Sequence, residues 1–170
     1  RGLQDHLVLS TFGLLGPGKG IEYALRALPA VVKKHPELLY FVIGVTHPNV
    51  RKHDGEAYRN FLQKEIKRLG LSNHVRFYNT YLSLEEIVSF LRSTDVYVSP
   101  TLDRKQSVSG TLSYALGCGT PVIATNSLYA ESIVCPECGV LVRPKDSDGI
   151  AKALLKMCSD EKSLKEMGRN

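Results

Sequence analysis

Apolar residues fall along this chain in two alternating periods. Short runs rich in β-branched, aromatic and aliphatic residues, at Val8 to Phe12, Leu38 to Gly44, Val75 to Tyr78, Asp95 to Ser99, Pro121 to Ala124 and Val140 to Val142, have the length of strands. LLYFVIG (Leu38 to Gly44) is continuously apolar, as a strand covered on both faces of a parallel sheet requires. Between these runs the period lengthens. Ile21, Ala24, Leu25, Leu28, Val31 and Val32 share one face of a helix predicted from Ile21 to His35, which Pro36 ends. Phe61, Leu62, Ile66 and Leu69 do the same across Ala57 to Leu69, with Gly70 as the stop. Ser83 and Glu86 form a capping box ahead of Leu84, Ile87, Val88 and Leu91, so Ser83 to Arg92 is a third helix. Further helices are predicted from about Gly110 to Leu116, near Tyr129 to Val134 and from about Asp148 to Cys158.

Strands alternating with helices throughout predict an α/β fold: a Rossmann-like, doubly wound, open parallel sheet of about six strands, formed by residues 1–170 as one domain. Ligands of such sheets bind beyond the carboxyl ends of the strands. That rule selects four loops, Gly13 to Gly20, Val45 to Asn49, Asn79 to Leu82 and Thr101 to Ser109, and expects them to converge.

Composition narrows the classes. A hydrophobic content of 43% over 170 residues suffices for a full core. The net charge of +5 is scattered in short clusters such as Lys33-Lys34-His35, with no run of basic residues alternating with aromatics, so no nucleic-acid partner is expected. No apolar run reaches the ~18 residues of a membrane span, and no signal-peptide pattern is present. Four cysteines, two of them far apart, do not make a disulfide framework and favour a cytoplasmic location. The start, RGLQDHLVLSTFG, enters a strand almost at once and the end, KEMGRN, stops as a helix finishes, which reads as a piece of a longer chain.

The chemistry concentrates in two loops. From Asp95 to Thr125 the order is strand, small-residue turn, helix, Gly-Thr-Pro stop and strand. Ser107, Ser109, Gly110 and Thr111 stand at the helix start, where free N–H groups and the dipole favour an anion and the hydroxyls either cap the helix or meet phosphate oxygens. The other loop is GLLGPGKG. It is not a Walker A loop, because Gly20 rather than Ser or Thr follows Lys19; it is a glycine-rich turn carrying one lysine as a point charge at the mouth of a helix. His47 follows the second strand and is the histidine placed to line a cleft, although the Pro48 after it equally fits a structural turn. Cys135 and Cys138 have the spacing of half a zinc site or of a redox pair; two further ligands are wanting and no helix opens directly after them, so incidental thiols are the default.

Taken together, the G-x-x-x-x-x-K-G loop after strand one, the DVYVSP strand, the helix running into CGTPVIAT, and a following glutamate and G-V-L-V resemble the C-terminal, donor-binding half of family-4 (group 1) GT-B glycosyltransferases. The resemblance covers nearly the whole chain. It implies one half of a two-domain enzyme that retains anomeric configuration and takes a nucleotide-diphosphate sugar, with the acceptor-binding N-terminal domain absent from this chain. Gly13, Leu15, Lys19 and Gly20 match the family's first loop, and Leu14 stands where it has an arginine on the diphosphate. The family's two glutamates, eight positions apart, fall on Gln106 (near the donor sugar) and Tyr114 (near the ribose), so the carboxylate clamp is replaced by an amide and a phenol. Glu131 matches the glutamate after the fifth strand.

The implied donor-binding set is Gly13, Gly16, Lys19, His47, Gln106, Ser109, Gly110, Thr111, Tyr114 and Glu131, with Lys19 and Gln106 acting at the reaction centre. Lys19 and the N–H groups around Ser109 to Thr111 would stabilise the departing diphosphate, which requires no cofactor and no metal. Alone, the domain is expected to bind a donor and transfer little or nothing, with any peripheral membrane contact made through the N-terminal half. Two alternatives stay open: a non-catalytic nucleotide- or partner-binding module of the same fold, and a doubly wound enzyme using a sugar phosphate without a nucleotide.

Overall fold

The computed structural model describes residues 5–159, 164, 166 and 167. The expectations for residues 1–4 and for most of KEMGRN lie outside the described residues. Six strands, β1 (Val8–Phe12), β2 (Leu39–Ile43), β3 (Val75–Tyr78), β4 (Val96–Ser99), β5 (Val122–Thr125) and β6 (Gly139–Val142), pair in parallel in the order β3-β2-β1-β4-β5-β6. The helices are α1 (Ile21–Val32), α2 (Pro48–Asp54), α3 (Ala57–Arg68), α4 (Leu84–Arg92), α5 (Gly110–Gly117), α6 (Leu128–Ile133) and α7 (Ser147–Cys158). Chain direction across the sheet reverses between β1 and β4. In open α/β sheets the ligand crevice lies at that switch point, between the loops that leave the two strands.

Alternating side chains of each strand enter two different cores. Leu9, Tyr40, Val42, Val96, Val98 and Ile123 pack under α1, α3 and α7. Val8, Phe12, Phe41, Ile43, Tyr97, Val122 and Ala124 pack under α4, α5 and α6. Both faces are therefore covered, which explains the unbroken apolar run of β2. The polar residues of β1 are satisfied internally: Ser10 Oγ pairs with Thr94 Oγ1 at 2.9 Å, and Thr11 Oγ1 donates to the Val98 carbonyl at 2.5 Å while pairing with the Tyr40 phenol at 2.7 Å.

Two expectations change. The first helix ends at Val32 rather than His35, with Lys33 as its C-cap, and Pro29 lies inside it at a half-buried position. The loop after β2 gives way at Pro48 to α2, a helix with no buried residue and hence no apolar period to announce it. Its start is nevertheless local chemistry: His47 Nδ1 accepts from the Asn49 N–H at 3.2 Å, and Pro48 occupies the first turn, where a missing N–H costs nothing. The capping box at Ser83 forms as expected, with Ser83 Oγ accepting from Glu86 N and Glu86 Oε2 accepting from Ser83 N.

Candidate functional site

The loop after β1 is stitched to its neighbours on both sides. Toward β2, Leu15 N donates to the Val45 carbonyl at 2.9 Å and His47 N to the Leu15 carbonyl at 2.8 Å, extending the sheet by one bridge between Leu15 and Thr46. Gly44 has φ +141°, and a Cβ there would stand 2.0 Å from the Gly13 carbonyl oxygen, so only glycine allows the two backbones to pass. Toward β4, Leu102 N donates to the Gly18 carbonyl at 2.9 Å, and Gly20, with φ +62°, presses against the Pro100 carbonyl.

Above these seams lies a cavity of about 450 Å³ to which all four predicted loops contribute. Gly13, Leu14 and Lys19 come from the first loop, Gly44, Val45 and His47 from the second, Thr80, Tyr81 and Leu82 from the third, and Gln106, Val108 and Ser109 from the fourth. Gly110, Thr111 and Tyr114 of α5 complete one side. The side chain of Lys19 folds back over Gly13: a Cβ on Gly13 would stand 3.3 Å from Lys19 Nζ and 3.7 Å from Thr111 Cγ2. Burial holds the Lys19 ammonium below its ordinary pKa, a cost that an anion beside it would relieve. No carboxylate lines the cavity among the described residues.

The start of α5 is open. Ser109 is buried, but its hydroxyl makes no cap hydrogen bond, so the first-turn N–H groups have neither an intrahelical nor a capping acceptor. Behind it, burial pushes the Tyr97 phenol up to about 12, against the opposing influence of Thr111 and the Phe12 backbone. Gln106 is fixed through its backbone, its carbonyl accepting from Tyr129 N at 3.0 Å, while Tyr129 Oη pairs with Ser113 Oγ at 2.5 Å. Gln106 lines the cavity, and so does Tyr114, which is 42% exposed.

The facing wall is held from behind by a residue that the sequence reading did not single out. Arg59, on α3, is 7% exposed. Its Nη2 donates to the Gly44 carbonyl at 2.8 Å and to Asn79 Oδ1 at 2.9 Å, and its Nε to Glu56 Oε2 at 3.3 Å. Glu56 Oε2 also accepts from Thr46 Oγ1 at 2.5 Å. The Thr46 hydroxyl, and then Arg59, hold the Glu56 carboxyl below its ordinary value. The available signal was an arginine on the inward side of a helix, beside Tyr58, Leu62 and Ile66, where an apolar residue is usual.

Two predicted residues stand apart from the main cavity. Gly16 lines an adjoining depression that shares Leu14, Lys19, His47 and Gln106 with it. Glu131 is exposed on α6 and lines neither. Cys135 and Cys138 occupy the turn before β6, and Gly139 pairs with Val122 at the start of β5, which puts the thiols at the opposite edge of the sheet. Among the described residues no group of three or more His, Cys, Asp or Glu is placed to hold a metal. The chain has one Asp-x-Asp, at Asp146 and Asp148, outside the four loops; Asp146 Oδ1 accepts from Gly149 N at 2.7 Å and caps α7. No helix among the described residues is long and apolar enough to cross a membrane.

A parallel six-stranded sheet with this strand order and a cavity at its switch point is a Rossmann-like, doubly wound domain with its ligand crevice at the carboxyl ends of the strands. The sequence matches the glycosyl transferases group 1 over residues 4–170, and the chain belongs to that family. It is 27% identical over 173 residues to a GDP-mannose-dependent alpha-(1-6)-phosphatidylinositol monomannoside mannosyltransferase of Mycolicibacterium smegmatis, covering 98% of this chain and 42% of the relative. It is 26% identical to the lipopolysaccharide core biosynthesis mannosyltransferase LpcC of Rhizobium leguminosarum, covering 99% and 46%. The chain thus spans less than half the length of these curated relatives. Among solved structures, the C-terminal domain of a group 1 glycosyl transferase (LpcC) from Francisella tularensis superposes with a TM-score of 0.81 at 28% identity, covering 96% of this chain and 80% of that one. Anabaena Alr3699/HepE in complex with UDP-glucose gives 0.85 at 22% identity, covering 99% and 43%, a likeness of fold.

Proposed function

We propose that this domain binds the nucleotide-diphosphate sugar of a retaining glycosyltransferase, whose acceptor is held by an N-terminal domain outside this chain. The observation that carries the reading is the convergence of the Lys19 ammonium and the uncapped start of α5 on Gly13, in a cavity with no carboxylate lining among the described residues. A diphosphate seated there meets one cation and several N–H donors, and these strengthen as negative charge develops on the leaving oxygen. Departure can be driven by those groups alone, so the reading calls for no metal and no cofactor. Gln106 offers its amide to hydroxyls of the sugar and Tyr114 its phenol to the ribose; Gly13, Ser109, Gly110 and Thr111 let the phosphates approach the backbone. His47 lies on the facing side and Gly16 on the adjoining depression, while Glu131 lines neither. Transfer needs the acceptor half, so the isolated domain binds without turning over. We place the enzyme in the cytoplasm, with any membrane contact made by the missing half.

The experiment is calorimetric titration with UDP, GDP and ADP and their common sugar conjugates, in the wild type and in Lys19→Ala. Saturable binding of one base series, lost in the variant, is the expected result; binding untouched by Lys19→Ala would sink the site assignment. The second reading, a non-catalytic nucleotide- or partner-binding module, is favoured by the amide and phenol at positions 106 and 114, and it predicts no preference for a sugar conjugate over the bare diphosphate.

A further inference from the structure

Arg59 contributes nothing to the cavity surface, yet its guanidinium fixes both loops of one wall. Gly44, Val45 and His47 follow β2, and Thr80, Tyr81 and Leu82 follow β3; Arg59 bonds the first loop through the Gly44 carbonyl and the second through Asn79 Oδ1. A third arm runs through Glu56 to the Thr46 hydroxyl, which lies between Val45 and His47. The ring of Phe77, in β3, lies 5.6 Å beneath the guanidinium. One planar group thus sets the separation of two loops that share no backbone hydrogen bond with each other beyond Gly44 N to the Tyr78 carbonyl, among the described residues. The two loop acceptors share Nη2 and the Glu56 arm leaves Nε, so a lysine, with a single nitrogen, has the charge but not the second, rigidly placed donor.

Stability is a poor reason for this arrangement. The Glu56 carboxylate is more than a third exposed, which screens its pairing with the buried Arg59, and Arg59 Nη1 is buried with no hydrogen-bond partner among the described residues, so the group is not even fully paired. What the network does supply is a fixed geometry of the wall. The opposite wall holds the cation and the helix start; this one offers Ile43, Val45, Tyr81, Leu82 and backbone, a surface for a flat, uncharged ring rather than a phosphate.

We infer that Arg59 is a positioning residue for the nucleoside end of the donor: it sets the gap between the β2 and β3 loops in which the base lies, without touching the ligand. The inference rests on the donor-site reading above. Its test separates the two ends of the ligand by titrating wild type, Arg59→Lys and Asn79→Ala with inorganic pyrophosphate and with UDP, GDP and ADP, with a thermal melt of each. Asn79 is exposed, so its truncation keeps the fold even where Arg59→Lys does not. Arg59→Lys is expected to weaken the preferred nucleoside diphosphate about tenfold and to narrow the ratio between bases, and Asn79→Ala to do so about threefold, both leaving pyrophosphate within about twofold. A purely structural role would lower the melting temperature and weaken both probes alike, with the ratio between bases unchanged, and that result overturns the inference, as does unchanged nucleotide binding in folded Asn79→Ala. A wild type that binds neither probe overturns the donor-site reading itself; pyrophosphate binding without any base preference overturns the Arg59 role alone.

Discussion

The wall made by Gly13, Lys19 and the first turn of α5 is built from backbone, small residues and one cation, all within reach of the cavity. The wall made by the loops after β2 and β3 is shaped by groups that stand behind it, Arg59, Glu56, Thr46 and Asn79. The first needs no side-chain network, because a helix start and close-packed glycines present N–H groups in fixed directions. In the second the helix starts of α2 and α4 are already capped, by His47 and Ser83, and two loops leaving adjacent strands would otherwise be free to splay. The difference teaches that affinity for an anion can be written locally in a chain, whereas the shape of the subsite next to it needs contacts between distant segments.

The harshest way to break the comparison is at the seam the two walls share. Gly44→Ala puts a methyl group 2.0 Å from the Gly13 oxygen at a φ of +141°, so stability should fall by about 3 kcal/mol or more and binding should be lost. Gly18→Ala, with open space around the added carbon, should change stability by less than about 0.5 kcal/mol. Equal denaturant midpoints for the two variants would show that the seam is not fixed as described.

Lys19→Ala tests the first wall alone. A charge-assisted hydrogen bond of about 1.5–3 kcal/mol predicts a loss of about 10- to 100-fold in affinity for a diphosphate, with little change in stability. pH sharpens the point. The free domain holds Lys19 below its ordinary 10.5, so anion binding should fade as pH rises through that lowered value. Folding stability should move the other way, rising with pH between the lowered and the ordinary value, because the unfolded chain holds the proton longer. Calorimetry across that alkaline range checks the first trend and chemical denaturation the second; affinity independent of pH there would remove Lys19 from the site.

Gln106→Ala should be milder, about 2- to 10-fold on a nucleotide sugar and nothing on the bare diphosphate, the range of one neutral hydrogen bond. A uniform loss on both ligands would mean that residue 106 holds the loop rather than the sugar. The smallest effect on binding is expected from Glu65→Gln, a buried carboxylate of α3 that pairs with Arg26 and Arg68 and does not line the cavity. Arg68 and then Arg26, against the cost of burial, bring the Glu65 carboxyl down to about 2 from 4.5. Its contribution to stability is full above the unfolded value and is lost as pH falls through about 2, so the variant should flatten the acid limb of the stability curve and leave ligand affinity unchanged. A shift in affinity would couple the Glu65 pairs to the cavity and weaken the claim that the wall is held through Arg59.

The sequence by itself determined the elements, the sheet class and the loops that meet. Short apolar runs, an apolar period of about 3.6 residues and a capping box are properties of neighbouring positions, so β2, α1 and the capped start of α4 were legible, and the carboxyl-end rule then selected four loops that do line one cavity. Lys19 and the turn from Ser109 to Thr111 were legible for the same reason: a lysine in a glycine turn and small residues at a helix start are local signals. The helix α2 was not, because it buries nothing and left no apolar period. Only the tertiary structure decided that Glu131 points away while Gln106 and Tyr114 reach the cavity, that Lys19 folds back over Gly13, and that Arg59 ties Gly44 to Asn79. Apart from the fold-back of Lys19, those facts depend on where segments distant along the chain come to rest. Packing of the whole sheet fixes that placement, and no local spacing carries it.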